Sequence, residues 1–281
     1  MNKNIPACSY EESGLCSSKI LAALPEAFPW RSHISCYDSI DSTNTAAKKA
    51  AAAGAPEGTV LIANSQSAGR GRLGRSFFSP AGMGIYLSVV LHPECLPREL
   101  MHLTCAAAVA ACNAVTRYCG LRPGIKWTND LVLGSKKLAG ILTELSVNST
   151  TGLVEYAVVG IGINCCHDVQ DFPPEIRNIA TSIAIETGTC VDRNSLCAAM
   201  IVALSEMRQT LLKEKPQIMQ VYRKNCITLG QSVSIVGSGP VRHAKAMDID
   251  PDGGLLVRYD SGESGTITSG EVSVRGMYGY V

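Results

Sequence analysis

The alternation of apolar and polar positions divides the chain into two textures. Up to about residue 226, apolar runs of strand length alternate with stretches of helical period. Short strands are predicted at 34–37, 59–64 (TVLIAN) and 85–91 (IYLSVVL), and longer ones at 138–147 and 154–164. Residues 148–152 are polar and turn-like, so these last two form a hairpin. Two further short strands fall at 125–127 and 131–133. Helices are predicted at 17–24, after Ser42 or Thr43 up to Gly54, and at 98–118, 175–186, 194–213 and 216–224. From residue 227 the texture becomes short alternating strands and glycine turns, with Asp252-Gly253-Gly254 as the strongest turn signal. The expected organisation is an extension over 1–30, a catalytic-sized domain over 31–226, and a small barrel of about five strands over 227–281. A unit as small as the last has little core of its own and is expected to pack on the first.

Composition narrows the classes. Twenty-five basic and 24 acidic residues leave a net charge of +1, so the whole-molecule field does not draw the chain to nucleic acid or an anionic membrane. The N-terminal stretch lacks the uninterrupted apolar run of a secretory signal, and no 18-residue apolar segment reads as membrane-spanning. A cytoplasmic protein binding neither DNA nor membrane is expected. The first 30 residues are too few for a helix-turn-helix domain, so no repressor role is expected. Twelve cysteines occur without a CxxC pair. Cys105, Cys112 and Cys119 repeat along one helical face, and the set reads as reduced packing thiols, with the adjacent Cys165 and Cys166 the pair to watch for oxidation.

Against this neutral background one loop is anomalous. Gly69-Arg70-Gly71-Arg72-Leu73-Gly74-Arg75 puts three arginines and three glycines into seven residues. Glycines let backbone N–H groups approach an anion, and guanidinium groups bind phosphate or carboxylate in a planar fork. The pattern is neither a Walker A loop nor a dinucleotide fingerprint. On composition it is an anion cradle, a solvated basic loop or an RNA-binding segment. Lys126-Trp127-Thr128-Asn129-Asp130 sets a lysine, an amide and a carboxylate beside a short strand; Asp130 pairs with the lysine or holds Mg²⁺ with phosphate oxygens. Lys136 and Lys137 are site cations or turn charges. Gly140 inside a strand suggests close approach of a ligand. Gly160 and Gly162 suggest the same before Asn164, which recognises a ligand or caps its strand. The five histidines are scattered, without metal-ligand spacing.

In order, DSTN (41–44), QSAGRGRLGR (66–75), FFSP (77–80), KWTNDL (126–131), KKLAGILTE (136–144), GIGIN (160–164) and GEVSVR (270–275) resemble the biotin–protein ligases. The resemblance spans about residues 34 to 275 and implies an α+β fold. A mixed, largely antiparallel sheet with packed helices, of the class II synthetase-like biotin/lipoate ligase type, precedes a C-terminal SH3-like β-barrel. It implies formation of biotinyl-5′-AMP from biotin and MgATP, then transfer to a lysine of a biotin carboxyl carrier protein, as in acetyl-CoA carboxylase or related carboxylases. Biotin would lie against Ser42, Thr43, Asn44, Gln66, Gly69, Arg70, Gly71, Arg72, Lys137 and Gly140. ATP and the adenylate would meet Arg70, Arg72, Arg75, Phe77, Lys126, Asn129, Lys137, Asn164, Glu271 and Arg275, with Asp130 near Mg²⁺. Catalysis would rest on Lys137, Arg70 and Arg72. Thr128 stands where that family commonly has proline, and Leu73 where some members carry another basic residue. A monomer or a homodimer is compatible with the resemblance, and a lipoate–protein ligase is the related alternative.

Overall fold

A computed structural model describes residues 14–237, 240–268 and, for the backbone alone, 273–276. Twelve strands and six α-helices are seen among them. The first sheet has seven strands: β1 (Ile34–Tyr37), β2 (Val60–Ala63), β3 (Gly84–Leu91), β4 (Gly124–Lys126), β5 (Asp130–Leu133), β6 (Lys136–Val147) and β7 (Val154–Asn164). Their spatial order is β1-β2-β3-β7-β6-β5-β4, with β1 and β2 parallel and every other pair antiparallel. The sheet is therefore mixed, in an α+β domain.

Two helical layers enclose it. Helices α3 (Leu103–Cys119), α5 (Arg193–Thr210), α1 (Ser17–Ala23) and α6 (Lys215–Asn225) cover one face and form the main core with the odd-numbered positions of β6 and β7, Ile141, Ile161 and Ile163 among them. The helix on the second face is α2 (Thr43–Ala52), where Ala47 and Ala51 pack on Leu61, Val90 and Val158. Ser42 caps α2 by accepting from the Thr45 N–H, which pins the helix start over the sheet. The helical stretch Pro97–Cys119, which ends in α3, is long and apolar enough to cross a membrane by length and composition, yet most of it is buried within this core.

The second sheet is antiparallel: β8 (Ser232–Val236), β9 (Arg242–Ile249), β10 (Leu255–Tyr259), β11 (Ser264–Ile267) and β12 (Ser273–Gly276), in the order β11-β10-β9-β8-β12. It is a small SH3-like unit. Trp127 joins it to the first domain: its backbone N–H donates to Thr228 Oγ1 at 2.9 Å and its indole N–H to the Gly253 carbonyl at 2.8 Å.

Two expectations are corrected. The helix predicted over 175–186 is mostly absent; only α4 (Ile183–Thr187) forms. The backbone of 179–181 is instead extended against β6, where the Lys137 N–H donates to the Ile179 carbonyl and the Thr181 N–H to the Lys137 carbonyl, both at 2.8 Å. These tertiary hydrogen bonds outweigh local helical preference. The cysteines are also not uniformly reduced. Cys166 pairs with Cys190, 24 residues away, because the fold brings their Cα atoms to 4.9 Å. Cys165 remains a free, buried thiol. The helical cysteines behave as expected: burial pushes the thiols of Cys105 and Cys112 up to about 12, so both stay protonated at neutral pH.

Candidate active site

On the α2 face, above β6 and β7, lies a cavity of about 420 Å³. Its floor follows from register. Gly140 pairs with Gly162, and Leu142 with Gly160, so three glycines point to one side of neighbouring strands and lower the surface there. The space so freed is filled from above. A Cβ on Gly162 would lie 2.5 Å from the Phe77 ring, and one on Gly160 would run into the Asn44 side-chain oxygen. The Phe77 ring meets Tyr86 edge-on at 6.3 Å.

A chain of polar side chains fixes the start of α2. Gln66 Oε1 accepts from the Thr43 N–H at 2.9 Å, while its Nε2 donates to Ser79 Oγ at 2.9 Å. Ser79 in turn donates to the Phe77 carbonyl. The Ser88 hydroxyl donates to Asn44 Oδ1 at 2.6 Å and lies 2.8 Å from Thr43 Oγ1. Asn44 Nδ2 donates to Glu144 Oε2 at 3.1 Å. Buried polar groups satisfied in this way hold their positions firmly.

The glycine–arginine loop forms the opposite wall. It is a tight hairpin: the Gly71 N–H donates to the Arg75 carbonyl at 2.7 Å and the Phe77 N–H to the Gly69 carbonyl at 2.9 Å. Leu73 holds a positive φ of 56° at its tip. Arg70 ion-pairs with Glu144 at 3.1 Å. Arg72 turns inward, donating Nη1 to Asn129 Oδ1 at 3.1 Å, and its Nη2 is buried without a partner among the described residues. Burial lowers the Arg72 pKa, and the neighbouring Asp130 charge opposes that shift. The group remains a cation at any physiological pH. A desolvated guanidinium with an unmet donor facing a cavity calls for an anion there.

The remaining cations converge on the same space. Lys137 ion-pairs with Asp130 at 2.7 Å and lies 5.8 Å from the centre of the Phe77 ring. Lys126 is buried and lines the cavity with Trp127 and Asn129. Asn129 is fixed by donating Nδ2 to the Ile141 carbonyl at 2.9 Å. The peptide bond between Trp127 and Thr128 is cis.

Of the residues singled out from sequence, Ser42, Thr43, Asn44, Gln66, Arg70, Gly71, Arg72, Arg75, Phe77, Lys126, Asn129, Asp130, Lys137 and Gly140 all line this one cavity. Gly69 lies behind it, packed against the Phe77 backbone. Asn164 does not line it; its amide donates to the Thr181 carbonyl at 2.9 Å and the Lys137 carbonyl at 3.5 Å. Asn164 thus acts on Lys137 through the main chain. Glu271 lies outside the described residues, and Arg275 is described only as backbone in β12, opposite Ser234. Sequence reasoning missed Ser79, Ser88, Glu144 and Ile179. A lone serine inside the otherwise apolar run IYLSVVL was the available signal for Ser88.

Glu144 shows how the charges balance. Burial pushes its carboxyl up, but hydrogen bonds from Lys48 and Asn44 and the charges of Arg70 and Lys48 outweigh burial and hold it below the usual range.

Residues 36–164 match the model of the biotin/lipoate A/B protein ligase family, and residues 228–275 match the biotin protein ligase C-terminal domain. The bifunctional ligase/repressor BirA of Bacillus subtilis is 31% identical over 231 residues, covering 82% of this chain and 70% of that one. The biotin–[acetyl-CoA-carboxylase] ligase of Mycobacterium tuberculosis is 32% identical over 237 residues, covering 82% and 85%. Among solved structures, a biotin protein ligase from Aquifex aeolicus in complex with biotin and ATP superposes with a TM-score of 0.73 at 28% identity, covering 87% of this chain and 99% of that one.

Proposed function

The chain belongs to the biotin/lipoate A/B protein ligase family and is a biotin ligase, and we propose that it works in two half-reactions within the cavity above β6 and β7. In the first, a biotin carboxylate oxygen bonds to the α-phosphorus of ATP and the bond to the β-phosphate breaks, so pyrophosphate leaves and biotinyl-5′-AMP forms. In the second, the neutral ε-amine of a carrier-domain lysine attacks the acyl carbon. AMP departs, the amine loses its proton, and an amide remains. The acceptor proposed is the biotin carboxyl carrier domain of acetyl-CoA carboxylase or a related carboxylase.

The observation that carries this reading is the buried, unmet Nη2 of Arg72 beside the Lys137–Asp130 pair. The first half-reaction brings two anions together, and preorganised cations in a water-poor site offset that repulsion. Lys137 is held by the 179–181 backbone, and Arg72 by Asn129, so neither reorganises much as charge develops at phosphorus. Biotin, a neutral ureido ring on an acyl chain, suits the glycine floor and the fixed polar groups of Thr43, Asn44 and Gln66. The exposed glycine–arginine hairpin is positioned to act as a lid that keeps water from the adenylate.

Mg²⁺ would accompany ATP. Among the described residues no cluster of three histidine, cysteine or acidic side chains offers a dedicated metal cage. A single carboxylate, Asp130, in the cavity fits an ion held chiefly by phosphate oxygens and water. Bound there, it would withdraw charge from the phosphates.

Incubation with ATP, Mg²⁺, biotin and a purified carrier domain, followed by intact-mass measurement, tests the reading. A gain of one biotinyl group on the carrier is expected. Pyrophosphate release with lipoate but not with biotin would transfer the activity to the lipoate branch of the family.

A further inference from the structure

Glu144, on β6, does not line the cavity, but its carboxylate is shared by helix α2 and the glycine–arginine hairpin. Its Oε1 accepts from Lys48 of α2 at 2.8 Å and its Oε2 from the Asn44 amide at 3.1 Å, while Arg70 of the hairpin reaches both oxygens at 3.1 and 3.2 Å. The Glu144 side chain is 17% exposed, so these charge-assisted bonds are partly shielded from water. The Asn44 amide has little freedom: its oxygen is taken by Ser88 and its nitrogen by Glu144 and the Leu142 carbonyl.

We propose that Glu144 is a positioning residue that ties the hairpin to the floor, holding Arg70 and the Asn44 amide in register with each other. The proposal rests on the biotin-ligase reading. Glu144 touches no reacting atom. It orients the Asn44 amide at the start of α2 and draws the hairpin down through Arg70, so that the placing of that amide over the floor and closure of the lid depend on one carboxylate. Glu144 is also the last residue of the motif KKLAGILTE, whose first half supplies Lys137 and Gly140. One strand thus bears both the reacting cation and the fastening of the lid.

Glu144→Gln keeps the shape and removes the charge. Its hydrogen bond to Asn44 can persist, whereas its pull on Arg70 is weakened. The expected result is a KM for biotin raised about tenfold with kcat for pyrophosphate release changed much less. A shorter retention of biotinyl-5′-AMP through gel filtration is expected alongside. Arg70→Gln should reproduce the faster loss of adenylate, and Glu144→Gln added to Arg70→Gln should change that loss no further. An unchanged biotin KM and unchanged adenylate retention, with the wild-type enzyme active, would overturn the proposal and leave the ligase reading intact. A lowered melting temperature with neither quantity altered would show a purely structural carboxylate and overturn it too. Fully additive effects of the two substitutions would remove the coupling through Arg70. A wild-type enzyme that releases no pyrophosphate with biotin and ATP would fail the underlying reading instead.

Discussion

The floor and the hairpin face the same cavity but are stabilised differently. The floor consists of strands inside a seven-stranded sheet, with glycines backed by Ile141, Ile161 and Ile163 and a polar chain whose members satisfy one another. The hairpin is largely exposed from Arg70 to Ser76 and is tied to the rest of the site by side-chain contacts that include Arg70 to Glu144 and Arg72 to Asn129. A ligand fits itself to the first and is covered by the second. Shape selection therefore belongs to the floor, and charge stabilisation with closure belongs to the hairpin. Substitutions in the two regions should separate in KM, kcat and stability.

The sharpest break comes from Arg72→Ala. Loss of one preorganised cation costs about 3 kcal/mol, so adenylation should fall on the order of a hundredfold, read by pyrophosphate release at saturating biotin and ATP. The melting temperature should hardly move, because the lost hydrogen bond to Asn129 is offset by removal of a desolvated charge with an unmet donor. Lys137→Ala should lower adenylation at least about tenfold. It also removes the 2.7 Å ion pair with Asp130, so some loss of stability should accompany the kinetic effect. An unchanged rate would remove Lys137 from the reaction centre.

On the floor, Gly162→Ala places a methyl 2.5 Å from the Phe77 ring, which must then shift into the space the ligand needs. The expected effect is a KM for biotin raised about tenfold with a smaller change in kcat. An equal fall in kcat at saturating substrate would show that floor and hairpin are not separable.

The smallest effect concerns stability against pH. Burial pushes the His167 imidazole down to about 4; the Arg193 charge adds to this, and the Asp171 charge opposes it. Neither ring nitrogen has a partner among the described residues, and the ring stacks on Phe172 at 4.7 Å. Between the unfolded value of about 6.5 and about 4, the unfolded chain takes up a proton that the folded chain refuses. Stability should therefore fall with pH across that window, by at most about 3 kcal/mol. His167→Phe should flatten this slope in urea titrations at pH 7, 6 and 5 without touching adenylation. A slope equal to that of the wild type would show that other groups govern the acid limb.

Much of this was legible in the residues. The apolar runs located all seven strands of the first sheet, most plainly β2 and β3, which are buried along their whole length and so need β-branched and aliphatic residues on both faces. The glycine–arginine run and KWTND were conspicuous because glycine and clustered charge are costly unless something uses them. The segment 175–186 was misread because helical propensity is a local quantity, whereas the hydrogen bonds that extend 179–181 come from Lys137, some forty residues earlier. Glu144 and Ser79 fall inside the quoted motifs KKLAGILTE and FFSP, but nothing local singles either out as a partner for Arg70 or Gln66, because those contacts come from 74 and 13 residues away.

The sequence by itself determined the order of elements, the presence of an anion-seeking loop and the family to which its motifs point, because propensity, periodicity and motif spacing act along the chain. Only the tertiary structure decided which charges face one another. It paired Asp130 with Lys137 and Arg70 with Glu144, left Arg72 with an unmet donor in the cavity, and joined Cys166 to Cys190. Each of these depends on distances of a few ångströms between residues far apart in the chain, which strand register and helix packing set and no local pattern encodes.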